Sequence, residues 1–281
     1  MPNLHDQVIA ITGAGSGIGR ALAIQLAKKG AKLAISDIEA NNLAETESIC
    51  RHVGSQNVWA EQLDVSNRQN VHDWAHAIFT RYGKVNVIIN NAGTSLSSTV
   101  IDLNYEDFEW LMNINFWGVV YGCKAFLPYL EEGKSHIINI SSLFGLISTP
   151  TTSAYNASKF AVRGFTESLS QELMIMNKGI HVTCVHPGGI KTNIINNGRI
   201  IANPSWGIKN IKDSNLNFQK LARTSPEQAA EKILSVIGTP NKSRLLIGSD
   251  AKLLDLLQRI IPSTYQIIVA KASAKHRNVL L

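Results

Sequence analysis

The stretch VIAITGAGSGIGR, Val8 to Arg20, joins a short run rich in β-branched residues to a glycine turn and then to the beginning of a helical pattern. Gly13, Gly17 and Gly19 let the backbone approach a ligand closely, and the N-terminus of the helix offers free N–H groups to an anion. The stretch therefore favours a phosphate-binding turn between a first strand and a first helix. Its spacing, Gly-x-x-x-Gly-x-Gly, departs from the usual dinucleotide fingerprint and lacks the Gly-Lys-Ser/Thr of triphosphatases, so a purely structural turn stays open as an alternative.

Short apolar runs alternate with helix-length segments along most of the chain. Each run carries few charges, which indicates strands covered on both faces, and the alternation is typical of α/β proteins. A chain of 281 residues with 44% hydrophobic content can bury one full core. We therefore predict a single domain, residues 1–281, built on a doubly wound parallel sheet of about seven strands with helices on both faces. The seven runs are VIAIT, AKLAISD, VWAEQLD, VNVIINNAG, SHIINISS, IHVTCVHPGG and RLLIG.

Two regions depart from this alternation. Residues 190–224 are rich in asparagine, and a segment of this length inside a domain is often an active-site lid. We assign residues 190–224 to a substrate loop and about 5–248 to the domain core. Residues 249–281 form a C-terminal extension, in which DAKLLDLLQRIIP predicts an amphipathic helix that Pro262 ends and that needs a partner surface in its own domain or in a sister subunit.

Cysteine usage and hydropathy bound the class of protein. Cys50, Cys123 and Cys184 are odd in number and too far apart for metal-ligand spacing, so we expect reduced thiols, no bound metal and a cytoplasmic protein. The N-terminal residues do not show the basic-then-apolar pattern of a secretory leader. No stretch approaches the ~18 apolar residues of a membrane span, so we expect no integral membrane segment.

The net charge of +6 comes from Lys and Arg residues that are scattered along the chain. Such dispersal is typical of a solvated surface, so we expect no nucleic-acid partner. The tail KASAKHRNVLL is the one locally basic segment. It could meet an acidic membrane surface, but we favour disorder or packing against a partner.

Asp37 ends the second predicted strand, about twenty residues after the glycine turn. A carboxylate at this place can accept hydrogen bonds from a ribose 2′-hydroxyl and would repel a 2′-phosphate. No basic residue stands at Ser16 or Ile38 to receive a phosphate, so the sequence favours NAD over NADP. The alternative is that Asp37 is the N-cap of the helix that follows.

The segment AYNASK, Ala154 to Lys159, places a phenol and an amine four residues apart on a predicted helix. Side chains so spaced lie on one face, about 5 to 6 Å apart at Cβ, so the ammonium of Lys159 can act on the phenol of Tyr155. Bringing a phenol pKa from ~10 towards 7 takes about 4 to 5 kcal/mol, more than one lysine in water supplies. Taken alone, the pair could equally be two side chains on a surface helix.

Eight motifs in one order give the pair its context. From Gln7 to Gly248 the sequence resembles the short-chain dehydrogenase/reductase family, in its compact single-domain branch. Each motif is weak by itself, but their order along the chain is specific, and the family implies a Rossmann-type fold. The motifs are TGAGSGIG at 12–19, Asp37, LDV at 63–65, NNAG at 90–93, NINFWG at 113–118, INISS at 138–142, YNASK at 155–159 and HPGGIKT at 186–192.

The resemblance implies four catalytic residues. Tyr155 would exchange the proton of the substrate hydroxyl. Lys159 would lower the pKa of the Tyr155 phenol and would also hold the nicotinamide ribose. Ser142, thirteen residues before the tyrosine, would hydrogen-bond the substrate oxygen, with its neighbour Ser141 as the rival by position. Asn115 would hold a water that links the lysine to solvent, since a polar residue amid apolar neighbours in a helix suggests a buried role.

The resemblance also implies a nicotinamide dinucleotide cofactor, NAD rather than NADP, held by residues that end or follow strands. Ligands of open parallel sheets bind at this edge, which agrees with the placement. The residues expected near the pyrophosphate and ribose are Gly13, Ser16, Ile18 and Gly19, with Asp37 on the adenosine ribose, Asp64 and Val65 beside adenine, Asn91, Ala92 and Gly93 under the ribose, Tyr155 and Lys159 at the nicotinamide ribose, and Pro187, Gly188, Ile190 and Thr192 at the nicotinamide amide.

The function implied is an oxidoreductase that moves a hydride between a carbinol carbon and nicotinamide C4. An apolar pocket lining suggests a hydrophobic secondary alcohol or its ketone as the substrate, and we expect a homo-oligomer, a tetramer or a dimer. A catalytically silent dinucleotide-sensing protein is the alternative, although its expected mark, loss of Tyr, Lys or Ser, is absent. A nucleotide-sugar epimerase would need a longer C-terminal domain. The expected lining is Leu143, Phe144, Leu146, Ile147, Ile194, Ile195 and Trp206.

Overall fold

The structure is a computed structural model that describes residues 4–279 except positions 56, 209 and 241. The strands are β1 Val8–Thr12, β2 Lys32–Asp37, β3 Val58–Gln62, β4 Val87–Asn90, β5 Leu96–Ser97, β6 His136–Ile140, β7 His181–Pro187, β8 Arg199–Ile200 and β9 Arg244–Ile247. The α-helices are α1 Gly17–Ala27, α2 Ala40–His52, α3 Arg68–Tyr82, α4 Tyr105–Met112, α5 Gly118–Phe126, α6 Ser153–Ile175, α7 Ile211–Leu221, α8 Pro226–Leu234, α9 Ser249–Ile260 and α10 Tyr265–Val279.

Each of the seven predicted apolar runs is a strand of one parallel sheet, in the order β3-β2-β1-β4-β6-β7-β9. The doubly wound fold predicted from the alternation is therefore confirmed. The strand order reverses between β1 and β4, which opens a crevice at the C-terminal ends of these two strands. All residues of β1, β4 and β6 are buried, as strands with helices on both faces should be.

The side chains of alternate residues in a strand pack into two separate hydrophobic cores, one on each face of the sheet. Ile9 and Ile11 of β1 belong to the cluster that contains Leu22 and Leu26 of α1. Val8 and Ala10 point to the opposite face, into the cluster that contains residues of α3, α5 and α6. Burying a large apolar side chain contributes about 1.5–3 kcal/mol, so both faces hold the sheet in place.

The asparagine-rich segment 190–224 is more ordered than a long loop. It contains β8, which pairs in parallel with β5, and helix α7. Asn210 caps α7 by accepting a hydrogen bond from the Asp213 amide at 2.9 Å. One asparagine that suggested a loop in the sequence is thus a helix N-cap.

The C-terminal extension also differs from the expectation. The amphipathic helix is present as α9, and a second helix, α10, follows and reaches Val279, so residues 271–279 of the tail are helical and not disordered, while the expected packing against a partner stays a prediction. Tyr265 and Val269 of α10 pack with Leu143 and Ile147 on the domain core. This contact explains why the chain continues as a helix beyond Pro262.

Candidate active site

The glycine turn is locked against the end of β4. Gly13 has a φ of 66°, which favours glycine, and a Cβ atom added there would lie 2.7 Å from Ala92 Cα. The Asn91 side chain donates to the carbonyl oxygens of Thr12 and Gly13, each at 3.0 Å. A Cβ atom on Gly19 would overlap the Gly13 carbonyl. The predicted glycines therefore keep the turn and β4 in direct contact.

The turn leads into the N-terminus of α1, where an anion would fit. Ser16 is the N-cap in extended conformation, and within this described segment its hydroxyl makes no capping hydrogen bond. The first turn of α1 has no acidic residue among its described positions, and Ile18 and Gly19 belong to that turn. A helix leaves its first N–H groups without intrahelical partners and carries partial positive charge there. These residues therefore fit the phosphates of a dinucleotide.

Asp37 ends β2 beside this turn. Its carboxylate accepts one hydrogen bond from the Gly15 amide at 2.8 Å and another from the Glu39 amide at 3.0 Å. The N-cap of α2 is Glu39, so the alternative that Asp37 caps this helix is wrong. Each carboxylate oxygen accepts one backbone hydrogen bond and retains further acceptor capacity for hydroxyl donors.

The residues expected around adenine and ribose follow the C-terminal ends of β3 and β4. Asp64 accepts hydrogen bonds from the amide and the hydroxyl of Ser66, at 2.9 and 2.7 Å. Val65 packs so close to α5 that a Cβ on Gly118 would lie 2.9 Å from its Cγ2. The Ala92 amide donates to Thr12 Oγ1 at 3.0 Å. Sequence reasoning did not single out Thr12, although it opens the glycine motif.

Tyr155 and Lys159 lie four residues apart on α6. The Lys159 Nζ atom is 5.8 Å from the centroid of the Tyr155 ring and donates to the Ile140 carbonyl at 3.1 Å. The lysine is 3% exposed, and this burial lowers its pKa to about 8, while Cys184 acts in the opposite direction. The pair therefore joins a half-buried phenol to a buried ammonium, and it is not two side chains on a surface helix.

Ser142 is the partner of the Tyr155 phenol. Burial raises the pKa of Tyr155 above its ordinary value, and the hydrogen bond with Ser142 lowers it. The rival Ser141 is 3% exposed and donates its hydroxyl to the Lys159 carbonyl at 2.8 Å. The two adjacent serines thus have different partners, one at the phenol and one at the helix backbone.

Asn115 lies in a π-helical turn, Asn113–Trp117, between α4 and α5. Its side chain accepts from the Thr94 amide at 2.8 Å and donates to the Thr94 carbonyl at 3.0 Å and to Ser158 Oγ at 3.1 Å. It is fully buried. A Cβ atom on Gly93 would lie 3.2 Å from Asn115 Oδ1 and 3.4 Å from Lys159 Nζ, so both polar groups lie close to the backbone of Gly93. Single π-helical turns are frequent at functional sites.

Pro187 ends β7, and the segment that follows it contains Gly188, Ile190 and Thr192 and lies against the glycine turn. A Cβ atom on Gly17 would lie 3.1 Å from Thr192 Cγ2. Asp250 of α9 anchors the segment, because its carboxylate accepts the Gly189 amide at 2.7 Å. No sequence motif pointed to Asp250, since it lies about sixty residues further along the chain.

His186 is a third residue, after Thr12 and Asp250, to which sequence reasoning assigned no role. Its Nδ1 atom lies 2.9 Å from the Ser142 carbonyl oxygen and donates to it, which leaves Nε2 as the unprotonated nitrogen. Burial lowers the pKa of His186 to about 4. The imidazole is therefore neutral and ties β7 to the backbone of Ser142. Its position directly before Pro187 was the available signal.

The expected apolar pocket lining is only partly available. Leu143 and Ile147 are buried and pack against residues of α9 and α10, so these two contact the C-terminal extension; the pocket role of Leu146, which is also buried, stays a prediction. Phe144 remains at the site, with its ring 6.2 Å from that of Tyr155 in an edge-on arrangement. The C-terminal extension covers Leu143 and Ile147 from outside.

The described part of the chain shows neither a metal-binding cluster nor a helix suited to a membrane. Among the described residues, no group of three or more His, Cys, Asp or Glu side chains could hold a metal ion. The three cysteines are buried and not disulfide-bonded. Across the described positions between 4 and 279, no helix combines the length and apolarity that crossing a bilayer requires.

Comparison with known proteins agrees with this geometry. The family model described as short chain dehydrogenase matches residues 7–200. The chain is 44% identical over 276 residues to the putative oxidoreductase SadH of Mycobacterium tuberculosis, covering 98% of both chains. It is 30% identical to estradiol 17-beta-dehydrogenase 11 of Homo sapiens, covering 99% of this chain and 87% of the relative.

Solved structures are similar over nearly the whole length. A short-chain dehydrogenase/reductase from Burkholderia phymatum in complex with NAD superposes with a TM-score of 0.84 at 28% identity, covering 95% of this chain and 97% of that one. Levodione reductase superposes with a TM-score of 0.77 at 25% identity, covering 89% and 99%. The chain therefore belongs to the short-chain dehydrogenase/reductase family, whose members are oxidoreductases that act on CH–OH groups with a nicotinamide dinucleotide.

Proposed function

We propose that the protein is an NAD-dependent enzyme that interconverts a hydrophobic secondary alcohol and its ketone, with Tyr155 as the general acid and base. The observation that carries the proposal is that the Tyr155 phenol is influenced by Ser142 and that its ring lies 5.8 Å from the Nζ atom of the buried Lys159. A phenol, a hydroxyl and an ammonium at one strand edge can hold and polarise a substrate oxygen. A bound nicotinamide dinucleotide supplies the hydride acceptor or donor.

The proton is handled by Tyr155 and Lys159 together. In alcohol oxidation the phenolate of Tyr155 takes the hydroxyl proton, while Ser142 donates a hydrogen bond to the substrate oxygen. Burial disfavours the charged phenolate. A positive charge must therefore stabilise it in addition to the hydrogen bond with Ser142. Lys159 supplies this charge at neutral pH, because its pKa of about 8 keeps it protonated.

We further propose that Asn115 links Lys159 to solvent through a water. Its side chain already bonds to the backbone of Thr94 and to Ser158, which fixes its orientation. Asn115 Oδ1 and Lys159 Nζ both lie near the position that a side chain on residue 93 would occupy, so the glycine keeps the space between them open. A proton taken up by Tyr155 could leave along this path.

The cofactor would lie along the strand ends, with its pyrophosphate at Gly13, Ser16, Ile18 and Gly19 and its adenosine ribose at Asp37. The preference for NAD rests on Asp37, whose carboxylate would repel a 2′-phosphate. Asp64 and Val65 would contact adenine, and Asn91, Ala92 and Gly93 the ribose. Pro187, Gly188, Ile190 and Thr192 would orient the nicotinamide amide. The proximity of Thr192 to Gly17 supports a segment that closes over the cofactor.

A hydrophobic substrate is supported by what surrounds Tyr155. Phe144 meets its ring edge-on, and Ile194 and Ile195 are half-buried in the segment that we propose as the lid, residues 190–224. Similar proteins include one named for estradiol dehydrogenation and one named for levodione reduction. We propose that the whole chain is one domain, that it acts in the cytoplasm and that it forms a homo-oligomer.

An assay of NADH change across a panel of apolar secondary alcohols and ketones tests the function. Turnover of at least one member with NAD, and less with NADP, is the expected result. Cofactor binding without turnover of any member would favour the alternative, a catalytically silent dinucleotide-sensing protein. Turnover only of small polar alcohols would contradict the proposed substrate class.

A further inference from the structure

We propose that the outer side of α9 and α10 is a docking surface for an anionic lipid membrane. We call this surface the C-terminal face and define it by five apolar and three basic side chains. The helices belong to the extension after residue 248. The apolar members are Leu253, Leu256, Ile260, Ile267 and Ile268, and the basic members are Lys252, Arg259 and Lys271.

The inner sides of the two helices are firmly attached to the domain. Ala251 and Tyr265 are buried in a cluster with Leu143 and Ile147, and Leu254 and Leu257 pack against it. The Tyr265 hydroxyl accepts a hydrogen bond from the Ser148 amide at 3.4 Å. The helices therefore hold a fixed outer side towards solvent.

The outer side exposes large apolar side chains. Leu253, Leu256 and Ile260 are 66%, 53% and 68% exposed, and their spacing of three and four residues places them along one stripe of α9. Ile267 and Ile268 at the beginning of α10 are 55% and 46% exposed. Five such residues in two consecutive helices form a concentrated apolar surface, which in a protein marks an interaction site.

The two acidic side chains of these helices are turned towards the domain and already have partners. Asp255 is buried and accepts from Arg259 Nε at 2.9 Å, and Asp250 holds the Gly189 amide. Between residues 249 and 274 these are the two acidic residues, and neither is exposed, whereas Lys252, Arg259 and Lys271 are. Because Arg259 is paired with Asp255, Lys252 and Lys271 are the main basic contributors to the outer side. The C-terminal face is therefore apolar with basic residues around it.

This combination selects the occupant. A symmetric dimer through the C-terminal face would bring the basic residues of two copies into one interface, and the acidic residues that could pair with them are turned towards the domain, so like charges would repel. An anionic bilayer offers the opposite charge to the basic residues and an apolar layer to the Leu and Ile side chains. The basic sequence of the tail, residues 271–281, adds to the same attraction.

Flotation of the full chain with lipid vesicles tests the proposal. We expect binding to phosphatidylcholine vesicles that contain about 30 mol % phosphatidylserine, little binding to phosphatidylcholine alone, and release by added salt. Neutralising Lys252→Gln and Lys271→Gln together should weaken binding roughly 25-fold, since each charge near such a surface contributes about fivefold. No binding of the unmodified chain to the anionic vesicles would overturn the proposal.

The apolar members are tested by the triple variant Leu253→Ser, Leu256→Ser and Ile260→Ser, which should lose vesicle binding and retain its thermal unfolding temperature. Val100→Ser with Ile101→Ser is the matched control, because these residues are 73% and 94% exposed elsewhere, and it should bind as the unmodified chain does. Equal binding by the triple variant would contradict the proposal. So would a dimer that the triple variant converts to a monomer in sedimentation, which would make a second copy the occupant. Both readouts are independent of substrate turnover, so they do not depend on the proposed function.

Discussion

The Nζ atom of Lys159 lies 5.8 Å from the centroid of the Tyr155 ring, and Lys159 is held by contacts with the end of β6. The ammonium donates to the Ile140 carbonyl, and the Lys159 carbonyl accepts from Ser141. A strand end thus fixes the lysine at both its ends. The position of its charge relative to the phenol is determined by the sheet as well as by helical spacing.

Replacing Tyr155 by Phe should abolish nearly all turnover and leave cofactor binding unchanged. The variant loses the group that exchanges the proton, and such groups contribute about 10²–10⁴-fold to rate. Steady-state rates and NADH binding by fluorescence measure the two effects. Tyr105→Phe, an exposed tyrosine on α4, is the control and should retain full rate. A Tyr155→Phe enzyme close to the unmodified rate would contradict the proton-transfer role.

Ser142→Ala and Ser141→Ala should have different effects. The Ser142 variant should lose turnover, because its hydroxyl acts on the phenol and on the substrate oxygen, and also some stability, because the same hydroxyl accepts the Phe144 amide at 3.1 Å. The Ser141 variant should keep its turnover and lose about 0.5–1.5 kcal/mol of unfolding free energy, because its hydroxyl no longer donates to the Lys159 carbonyl. Rates and denaturant unfolding of both variants measure this. If both lose rate equally at unchanged stability, the assignment of the two hydroxyls is wrong.

The strands could be predicted from the sequence because each lies between two layers of helices. A strand such as β4 must then be an uninterrupted apolar run, and the run VNVIINNAG contains it. Asn115 was also predictable as buried, since an asparagine amid apolar residues has to find partners inside the fold. Local patterns carry this information because each is enforced by its own immediate surroundings.

Contacts between distant segments could not be predicted in this way. Asp250 and Gly189 are hydrogen-bonded, but nothing in either local sequence indicates the other. The helix α10 was missed for the same reason. It is held in place by Tyr265, which packs on a segment more than one hundred residues earlier in the chain. Leu143 and Ile147 were consequently assigned to the substrate pocket, whereas the extension covers them.

Replacing Asp37 by Ala should relax the preference for NAD over NADP. The carboxylate that would repel a 2′-phosphate is removed, so we expect kcat/KM with NADP to rise relative to NAD by about tenfold, which is ~1.4 kcal/mol. Asp73→Ala, on the exposed side of α3, is the control and should leave the ratio unchanged. An unmodified enzyme that already prefers NADP would contradict the interpretation of Asp37.

Asp250→Ala should raise KM for the cofactor more than it lowers kcat. The substitution releases the Gly189 amide, and with it the segment that contains Gly188, Ile190 and Thr192. Asp250 acts as a positioning residue, because it holds the backbone that would contact the nicotinamide amide. Initial rates at varied NAD measure the split, and Asp250→Asn should recover part of the loss because its carbonyl oxygen can still accept. Unchanged KM in both variants would show that the segment is held without Asp250.

Acidification should destabilise the protein through His136. The Gly238 amide donates to His136 Nδ1 at 3.1 Å, and the other ring nitrogen lies 2.8 Å from Thr183 Oγ1, so the buried imidazole is held neutral. Burial lowers its pKa to about 3, with His181 adding to the effect. The unfolded chain binds this proton near pH 6.5 and the folded chain does not. The contribution of this group to the free energy of unfolding is therefore fully present above pH 6.5 and falls by about 1.4 kcal/mol per pH unit between pH 6.5 and 3.

His136→Gln should reduce the pH dependence of the unfolding free energy by about one proton, measured by urea unfolding across pH, although the stability of this variant at pH 7 also falls. The exposed His52→Gln is the control and should keep the original slope. An unchanged slope in His136→Gln would show that the acid sensitivity arises elsewhere.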